Sequence, residues 1–330
     1  MNWTRVYQDA LAQGSSQVGY YHHNIRVDTA EGPVIVRVPI PGADVMDLRL
    51  WDEPDILAAI GSVVDTAPRL IQVSDRPAFQ IHSFVPGAVL NQVAPRGVPV
   101  PEHVIPDVAA LFANLAAIPA HQLPERPDDW PSDGDTAGFA RRLAADSRRV
   151  YAANRAAHTD LYQRLDIPGD PFAPVDSRWA TLTARPFVLV HSDVHRKNII
   201  VHNGRSFFLD WELALFGDPV YDLAVHLHKM TYLPDEQEKL VAIWSREMPG
   251  PHTTHAAADL ETYLVHEQIK SALVDSVRYA QAFAGAPAPY PLPTLAAKLA
   301  ALLTTARRHW AVAKPIDAAE VEKVLVEYAS

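Results

Sequence analysis

The run His191-Ser192-Asp193-Val194-His195-Arg196-Lys197-Asn198, followed by Ile199-Ile200-Val201-His202-Asn203-Gly204-Arg205-Ser206-Phe207-Phe208-Leu209-Asp210-Trp211-Glu212, decides how the chain is read. Just before it, Phe187-Val188-Leu189-Val190 is a short apolar run opened by Pro186, which predicts a strand. The two apolar runs after Asn198 are joined by an Asn-Gly turn signal and predict a hairpin. A hairpin returns the end of its second strand beside the start of its first. Asp210 is therefore expected next to Asn198, with Asp193 on the loop that enters the hairpin.

An aspartate, an asparagine soon after it and a second aspartate one hairpin later is the layout of a phosphoryl-transfer loop and its metal loop. In that layout Asp193 faces the attacking hydroxyl, and Asn198 and Asp210 hold Mg2+. A lone His-x-Asp is more often a turn with a capping carboxylate, but the full pattern is far more specific. A second reading takes His191, Asp193 and His195, which alternate, as ligands for zinc or a dinuclear metal. It leaves Asn198 without a role.

The chain has 330 residues, enough for about two structural units, and 48% hydrophobic content, enough for a sizeable core. A net charge of −10 without a long basic run argues against nucleic-acid binding and mildly favours a cationic partner. There is no cysteine, so disulfide and thiol chemistry are excluded, which fits a reducing cytoplasm. Met1–Arg5 lacks the pattern of a signal peptide, and no apolar stretch has the length of a membrane span. A cytoplasmic protein without nucleic-acid or membrane partners is expected, as monomer or homodimer.

Towards the start, a short helix is predicted over about 4–13. Two strands follow, within Gly19–Val27 and Pro33–Val38, joined by a turn over Asp28–Gly32. Val34, Val36 and Val38 share one face of the second strand, and Ile35 and Arg37 share the other. An arginine on an otherwise apolar strand is costly unless paired. The next predicted helix, Leu48–Ile60, offers Glu53 as its partner. In phosphoryl-transfer enzymes a strand cation held by such a glutamate grips the phosphates, and Ile35 would then touch the base. The alternative has Arg37 reaching solvent at a sheet edge. Gly19–Asn24 would cover the phosphates, with Tyr21 and His22 in the nucleotide site, although these residues also read as strand positions packed on the sheet. Ala78–Val85 runs into Pro86-Gly87 and reads as a strand entering a hinge. There the Ser83 carbonyl and the Val85 amide are expected to meet the edge of the base.

With these pieces in order, the chain resembles the aminoglycoside phosphotransferase family, which shares the protein-kinase-like fold with choline kinases. The resemblance runs over about residues 18–280. Leu189–Asn198, Phe208–Glu212 and Gly217-Asp218-Pro219-Val220-Tyr221-Asp222-Leu223-Ala224 carry it. It implies an α+β, two-lobed fold: a small antiparallel-sheet N-terminal lobe binding nucleotide over residues 1–86, and a larger, mainly helical lobe for catalysis and acceptor binding over residues 87–330. It further implies that Asp193 is catalytic, that Asn198 and Asp210 are Mg2+ ligands, and that Arg37 and Glu53 are the phosphate-gripping pair. His191 and Asp222 become structural supports of the catalytic loop. Ser192 stands where the family often has glycine, and Arg196-Lys197 where it often has a small Pro-Gly-like pair. These two cations would face the γ-phosphate or point outward.

Residues 138–165, 257–282, 292–308 and 317–328 predict helices of the larger lobe. The acceptor is expected between them and the catalytic loop. Trp211, Tyr263 and Tyr279 read as core residues rather than as aromatic faces for a ligand. The expected activity is transfer of the γ-phosphate of ATP or GTP to a hydroxyl of a small molecule. The first choice of acceptor is an antibiotic, aminoglycoside-like or another sugar-bearing or nucleoside compound. Alternatives are a choline, homoserine or sugar kinase, or a nucleotide-binding module without catalysis.

Overall fold

The computed structural model describes residues 1–13, 17–18, 22–40, 49–284, 291–312 and 314–329. In chain order the elements are α1 (Trp3–Gln13), β1 (Gln17–Val18), β2 (His22–Thr29), β3 (Gly32–Pro39), α2 (Glu53–Ile60), β4 (Leu70–Asp75), β5 (Ala78–Ser83), β6 (Ala88–Val89), α3 (Leu90–Val93) and α4 (Val104–Ala116). They continue with α5 (Thr136–Arg164), α6 (Ala173–Trp179), β7 (Val188–Val190), β8 (Ile199–His202), β9 (Arg205–Phe208), β10 (Leu215–Gly217) and α7 (Pro219–Met230). The last are α8 (Pro234–Glu247), α9 (Gly250–Thr253), α10 (Ala256–Ala284), α11 (Leu292–His309) and α12 (Ala318–Ala329). The fold is α+β, with a small antiparallel sheet at the N-terminal end and a helical C-terminal region.

Two compact units are present. The first comprises Met1–Trp130 and Pro186–Thr254, the second Pro131–Arg185 and His255–Ser330. In the first, a sheet of order β1-β2-β3-β5-β4 is antiparallel at every pairing. The alternation read from sequence sets its faces. Val34 and Val36 join Ile25, Val27, Phe79 and Ile81 in a core closed by Val6 and Ala10 of α1, with Val38 packed against it. Arg37 lies opposite Asn24 and Gln80, and Ile35 opposite His82, so these residues share the other face. α2 begins at Glu53, with a proline in its first turn, rather than near Leu48. Proline is well placed in a first turn, because its missing N–H is one the helix leaves unbonded anyway.

In the same unit β8 and β9 form the hairpin predicted by Asn203-Gly204. Both turn residues have positive φ, 48° and 72°, as a two-residue turn of this kind requires. β6 pairs with β8, and β7 with β10. α7 is buried almost from end to end. Gly87 makes β6 possible. Its φ is +124°, and a Cβ there would lie 2.4 Å from the Val201 carbonyl oxygen and 2.9 Å from Cβ of His202. Gly87→Ala is therefore expected to destabilise the protein by about 2 kcal/mol or more, through backbone strain plus overpacking. A urea midpoint equal to that of the wild type would refute this.

The second unit is helical. α5 is kinked at His158, where φ is −122° and ψ is 20°. Phe172, Trp179, Tyr263, Leu299, Leu303 and Leu325 are buried within it. Arg185 and Asp259 form a buried ion pair there. Glu267 and Lys270 pair at 2.6 Å, as their spacing on a helix suggests. Among the described residues no helix is long and apolar enough to cross a membrane.

Candidate active site

The site grows from the turn after β7. Ser192 adopts φ +61°, an unusual conformation for a residue with a side chain. That turn points two successive amides at one carboxylate of α7. The His191 and Ser192 N–H groups each donate to Asp222, at 2.8 Å. Asp222 is buried, and burial pushes its carboxyl up to about 6 even though both amides oppose the rise. His191 accepts the Asp193 amide on Nδ1 at 3.3 Å and packs against Trp211 at a tilt of 41°, with ring centroids 4.3 Å apart. Burial pushes this imidazole down to about 4, so it is neutral at neutral pH and carries its proton on Nε2.

Asp193 is held from both sides. Its Oδ2 accepts from the Asn198 amide at 2.8 Å, and its Oδ1 from Lys229 Nζ at 2.5 Å. Burial acts to raise its carboxyl, but Lys229 and His195 outweigh that and hold it below the ordinary carboxylate range. Asn198 spends its NH2 group on Asp193, to the side chain and to the carbonyl at 3.1 Å. The Asn198 backbone carbonyl accepts from the Leu209 amide at 2.8 Å. That bond closes the hairpin and puts Asp210 beside Asn198, as the sequence predicts.

Asp210 has φ +67°, a conformation aspartate tolerates better than most residues. Its Oδ1 accepts from Arg37 Nη2 at 2.9 Å, and Arg37 Nη1 donates to Glu53 Oε1 at 3.2 Å. Glu53 also accepts the Trp211 amide at 3.0 Å. Arg37 is thus buried and paired, not at a sheet edge. Glu212 Oε2 lies 3.6 Å from the same Nη2, so three carboxylates converge on one guanidinium. The consequences divide by sign. Burial opposes the charge on Arg37, but Glu53, Asp210 and Glu212 together hold it firmly protonated. Burial, reinforced by the like charge of Asp210, drives the carboxyls of Glu53 and Glu212 well above the usual range.

The remaining described residues expected at the nucleotide lie on the N-terminal sheet and just after β5. His22 is buried with Nδ1 3.3 Å from Arg37 Nη2. Burial and that guanidinium push it down to about 4, so the neutral ring accepts from Arg37. Ile35 is half-buried on the face that carries Arg37. Ser83 ends β5 with its amide donating to Arg69 O at 2.8 Å and its hydroxyl accepting from Arg69 N at 2.9 Å. Val85, buried, follows it. Tyr21 lies outside the described residues.

Arg196 neither faces the site nor points outward. It is buried and donates to three carbonyl oxygens, those of Met230, Ala94 and Val98. Lys197 is exposed. Trp211 and Tyr263 are fully buried core residues. Sequence reasoning missed Lys229 and His226, whose partners in the catalytic loop are more than thirty residues away. It quoted Glu212 without a role, and the Asp-x-Glu spacing was the signal available. The alternating His191-Asp193-His195 reading finds no support. Among the described residues no group of three His, Cys, Asp or Glu is arranged to hold a metal.

Residues 17–256 match the model of the phosphotransferase enzyme family, APH. An α+β, protein-kinase-like fold of this family is that of a small-molecule kinase. The chain belongs to that family and is a phosphotransferase with an alcohol group as acceptor, and the family implies ATP as co-substrate. No curated protein matches the sequence. Among solved structures, the choline kinase LicA from Streptococcus pneumoniae is similar at 12% identity and a TM-score of 0.60, covering 94% of this chain and 99% of that one. The Plasmodium vivax ethanolamine kinase gives 15% and 0.62, over 93% and 83%. A thermostable mutant of the aminoglycoside phosphotransferase APH(4)-Ia, in ternary complex with AMP-PNP and hygromycin B, gives 17% and 0.58, over 93% and 98%. At these identities the likeness is one of fold.

Proposed function

We propose that the protein transfers the γ-phosphate of ATP or GTP to a hydroxyl of a small molecule, with an antibiotic as the first choice of acceptor. An aminoglycoside-like compound, or another sugar-bearing or nucleoside compound, fits that description. The observation that carries the reading is the chain of contacts from Asp193 through Asn198 and the Leu209 amide to Asp210 and on to Arg37. It gathers a carboxylate for the hydroxyl, oxygen donors for a metal and a cation for phosphates at one place.

Asp193 aligns the acceptor hydroxyl and takes its proton late, because phosphoryl transfer passes through a loose transition state. Asn198 and Asp210 would hold Mg2+. Their oxygens suit a hard cation that keeps several waters and takes its other ligands from phosphate, so a site of few protein carboxylates is what magnesium needs. Local charge fits as well. Three carboxylates share one guanidinium, and buried Glu53 Oε2 has no hydrogen-bond partner among the described residues. When bound, the metal would neutralise charge on the phosphate oxygens. Arg37, held by Glu53, would position the phosphates. Ile35, His22, Tyr21 and the backbone of Ser83 and Val85 would line the nucleotide, within residues 1–86 as the nucleotide lobe and 87–330 as the lobe for catalysis and acceptor. His191 and Asp222 support the loop. A cytoplasmic monomer or homodimer completes the proposal.

The antibiotic reading draws on the likeness to APH(4)-Ia bound to hygromycin B. The likenesses to choline and ethanolamine kinases favour a second reading, a metabolite kinase. The net charge of −10 suits the cationic acceptors of either. The experiment is ADP or GDP release with magnesium over a panel of aminoglycosides, nucleoside antibiotics, choline, ethanolamine, homoserine and sugars. With nucleotide at about a hundred times its Kd, linkage should add about 2.7 kcal/mol of stability, and EDTA should remove that gain. Neither a thermal shift nor turnover with any acceptor would leave only an inert fold.

A further inference from the structure

α7 meets the catalytic loop along a single stripe. Asp222 takes the His191 and Ser192 amides. One turn on, His226 Nδ1 donates to the Val194 carbonyl at 2.8 Å, and its Nε2 therefore accepts from the Tyr232 hydroxyl at 3.0 Å. A further turn brings Lys229, which bonds Asp193 Oδ1 at 2.5 Å and approaches the Ser192 carbonyl at 3.4 Å. The next residue, Met230, offers its carbonyl to Arg196 Nε at 2.9 Å. Positions 222, 226 and 229–230 fall on one face at the helical period. One helix thus contacts loop residues 191, 192, 193, 194 and 196 through four of its own. Three of these contacts fix backbone or anchor the loop. Only the one from Lys229 reaches the side chain on which the proposed chemistry depends.

That contact completes a geometry. A carboxylate on a two-bond side chain swings about χ1 and χ2 unless both of its oxygens are held. Asn198 holds Oδ2 and Lys229 holds Oδ1. His195 Nε2 stands 3.6 Å from Oδ1, beyond hydrogen-bond reach. Its Nδ1 accepts the Lys197 amide at 3.1 Å, so its Nε2 carries the ring proton and faces Asp193 across that longer gap without closing a hydrogen bond. Lys229 is itself steadied by being three-quarters buried, with its side chain 26% exposed. We infer that Lys229 is a positioning residue for phosphoryl transfer, the second clamp that fixes the Asp193 carboxylate in the orientation that receives the acceptor hydroxyl. The inference rests on the kinase reading above. Each carboxylate oxygen accepts more than one hydrogen bond, so a clamped Asp193 can still receive the hydroxyl. The cation also favours alignment over strong basicity, as suits a loose transition state.

The test compares wild type, Lys229→Met and Lys229→Arg in magnesium ATP, with whichever acceptor of the panel is turned over. ADP release, ATP affinity by calorimetry and thermal unfolding are measured together. Loss of alignment can cost up to about 10²-fold, so Lys229→Met is expected to lower kcat by roughly 10–10²-fold. ATP Kd and acceptor KM should stay within about threefold, because no ground-state contact to either ligand is removed. Lys229→Arg, which keeps the cation, should recover part of the lost rate. Should the methionine variant fail to fold, Lys229→Gln serves in its place. The inference is overturned if kcat of the uncharged variant stays within about threefold of wild type, or if Lys229→Arg recovers none of the loss. A wild-type protein that neither binds nor turns over ATP would instead fail the kinase reading, so the two failures are distinct.

Discussion

Asp193→Asn is expected to reduce kcat by roughly 10²–10⁴-fold, the usual contribution of a positioned general base, with nucleotide affinity nearly unchanged. The substitution is close to isosteric. The Asn198 and Lys229 contacts both reach carboxylate oxygens, and an amide supplies only one. What disappears is the anionic acceptor for the hydroxyl proton and one of the two clamps. Asp193 carries its charge under ordinary conditions, since Lys229 and His195 outweigh burial and keep its carboxyl below the usual range. The wild-type rate should therefore show no acid limb near neutrality that traces to Asp193. Arg37, the proposed phosphate grip, is bonded to Glu53 and Asp210 rather than to Asp193, so ATP binding should survive. Steady-state ADP release beside an ATP-binding isotherm separates the effects. A variant that turns over within about threefold of wild type would remove Asp193 from the chemistry.

Much of this arrangement was legible in the chain, because its signals were local. Asn203-Gly204 between apolar runs fixed the β8–β9 hairpin, and the hairpin fixed the neighbourhood of Asn198 and Asp210. Arg37 on an apolar strand demanded a carboxylate, and Glu53 supplied it. Elements with weaker signals escaped. β4 has a burial pattern that alternates only between half-buried and exposed, as an edge strand does, so Leu70–Asp75 did not stand out. α2 begins later than its apolar spacing suggested because its first-turn proline sets the start. Contacts set by tertiary packing left no local mark. Arg196 looked like a surface cation, yet the carbonyls it binds belong to residues 94, 98 and 230. Lys229 reaches Asp193 only because Asp222 has already placed the same face of α7 against the loop.

Arg37→Met should be the most destabilising single change in the site. The guanidinium is buried at the meeting point of Glu53, Asp210 and Glu212. Methionine fills much of the volume but leaves three carboxylates facing one another without their cation. Breaking a buried pair in this way costs about 3–5 kcal/mol. The loss should depend on pH, with a definite sign. Glu53 and Glu212 already have carboxyls driven well above the ordinary range in the folded state, by burial and the like charge of Asp210. Removing Arg37 takes away a charge that lowers both. A carboxyl whose folded value exceeds its unfolded one binds more protons folded than unfolded between the two, so stability falls as pH rises through that window. The deficit of Arg37→Met against wild type should accordingly be smallest near pH 5 and largest near pH 8. Arg37→Lys should fall between, since one ammonium cannot reproduce a fork that reaches Glu53 and Asp210 through separate nitrogens. Urea denaturation of the three proteins at both pH values measures this. A deficit below about 1 kcal/mol, within what a surface pair contributes, or one that shrinks as pH rises, would mean that Arg37 is not the charge that holds these carboxylates together.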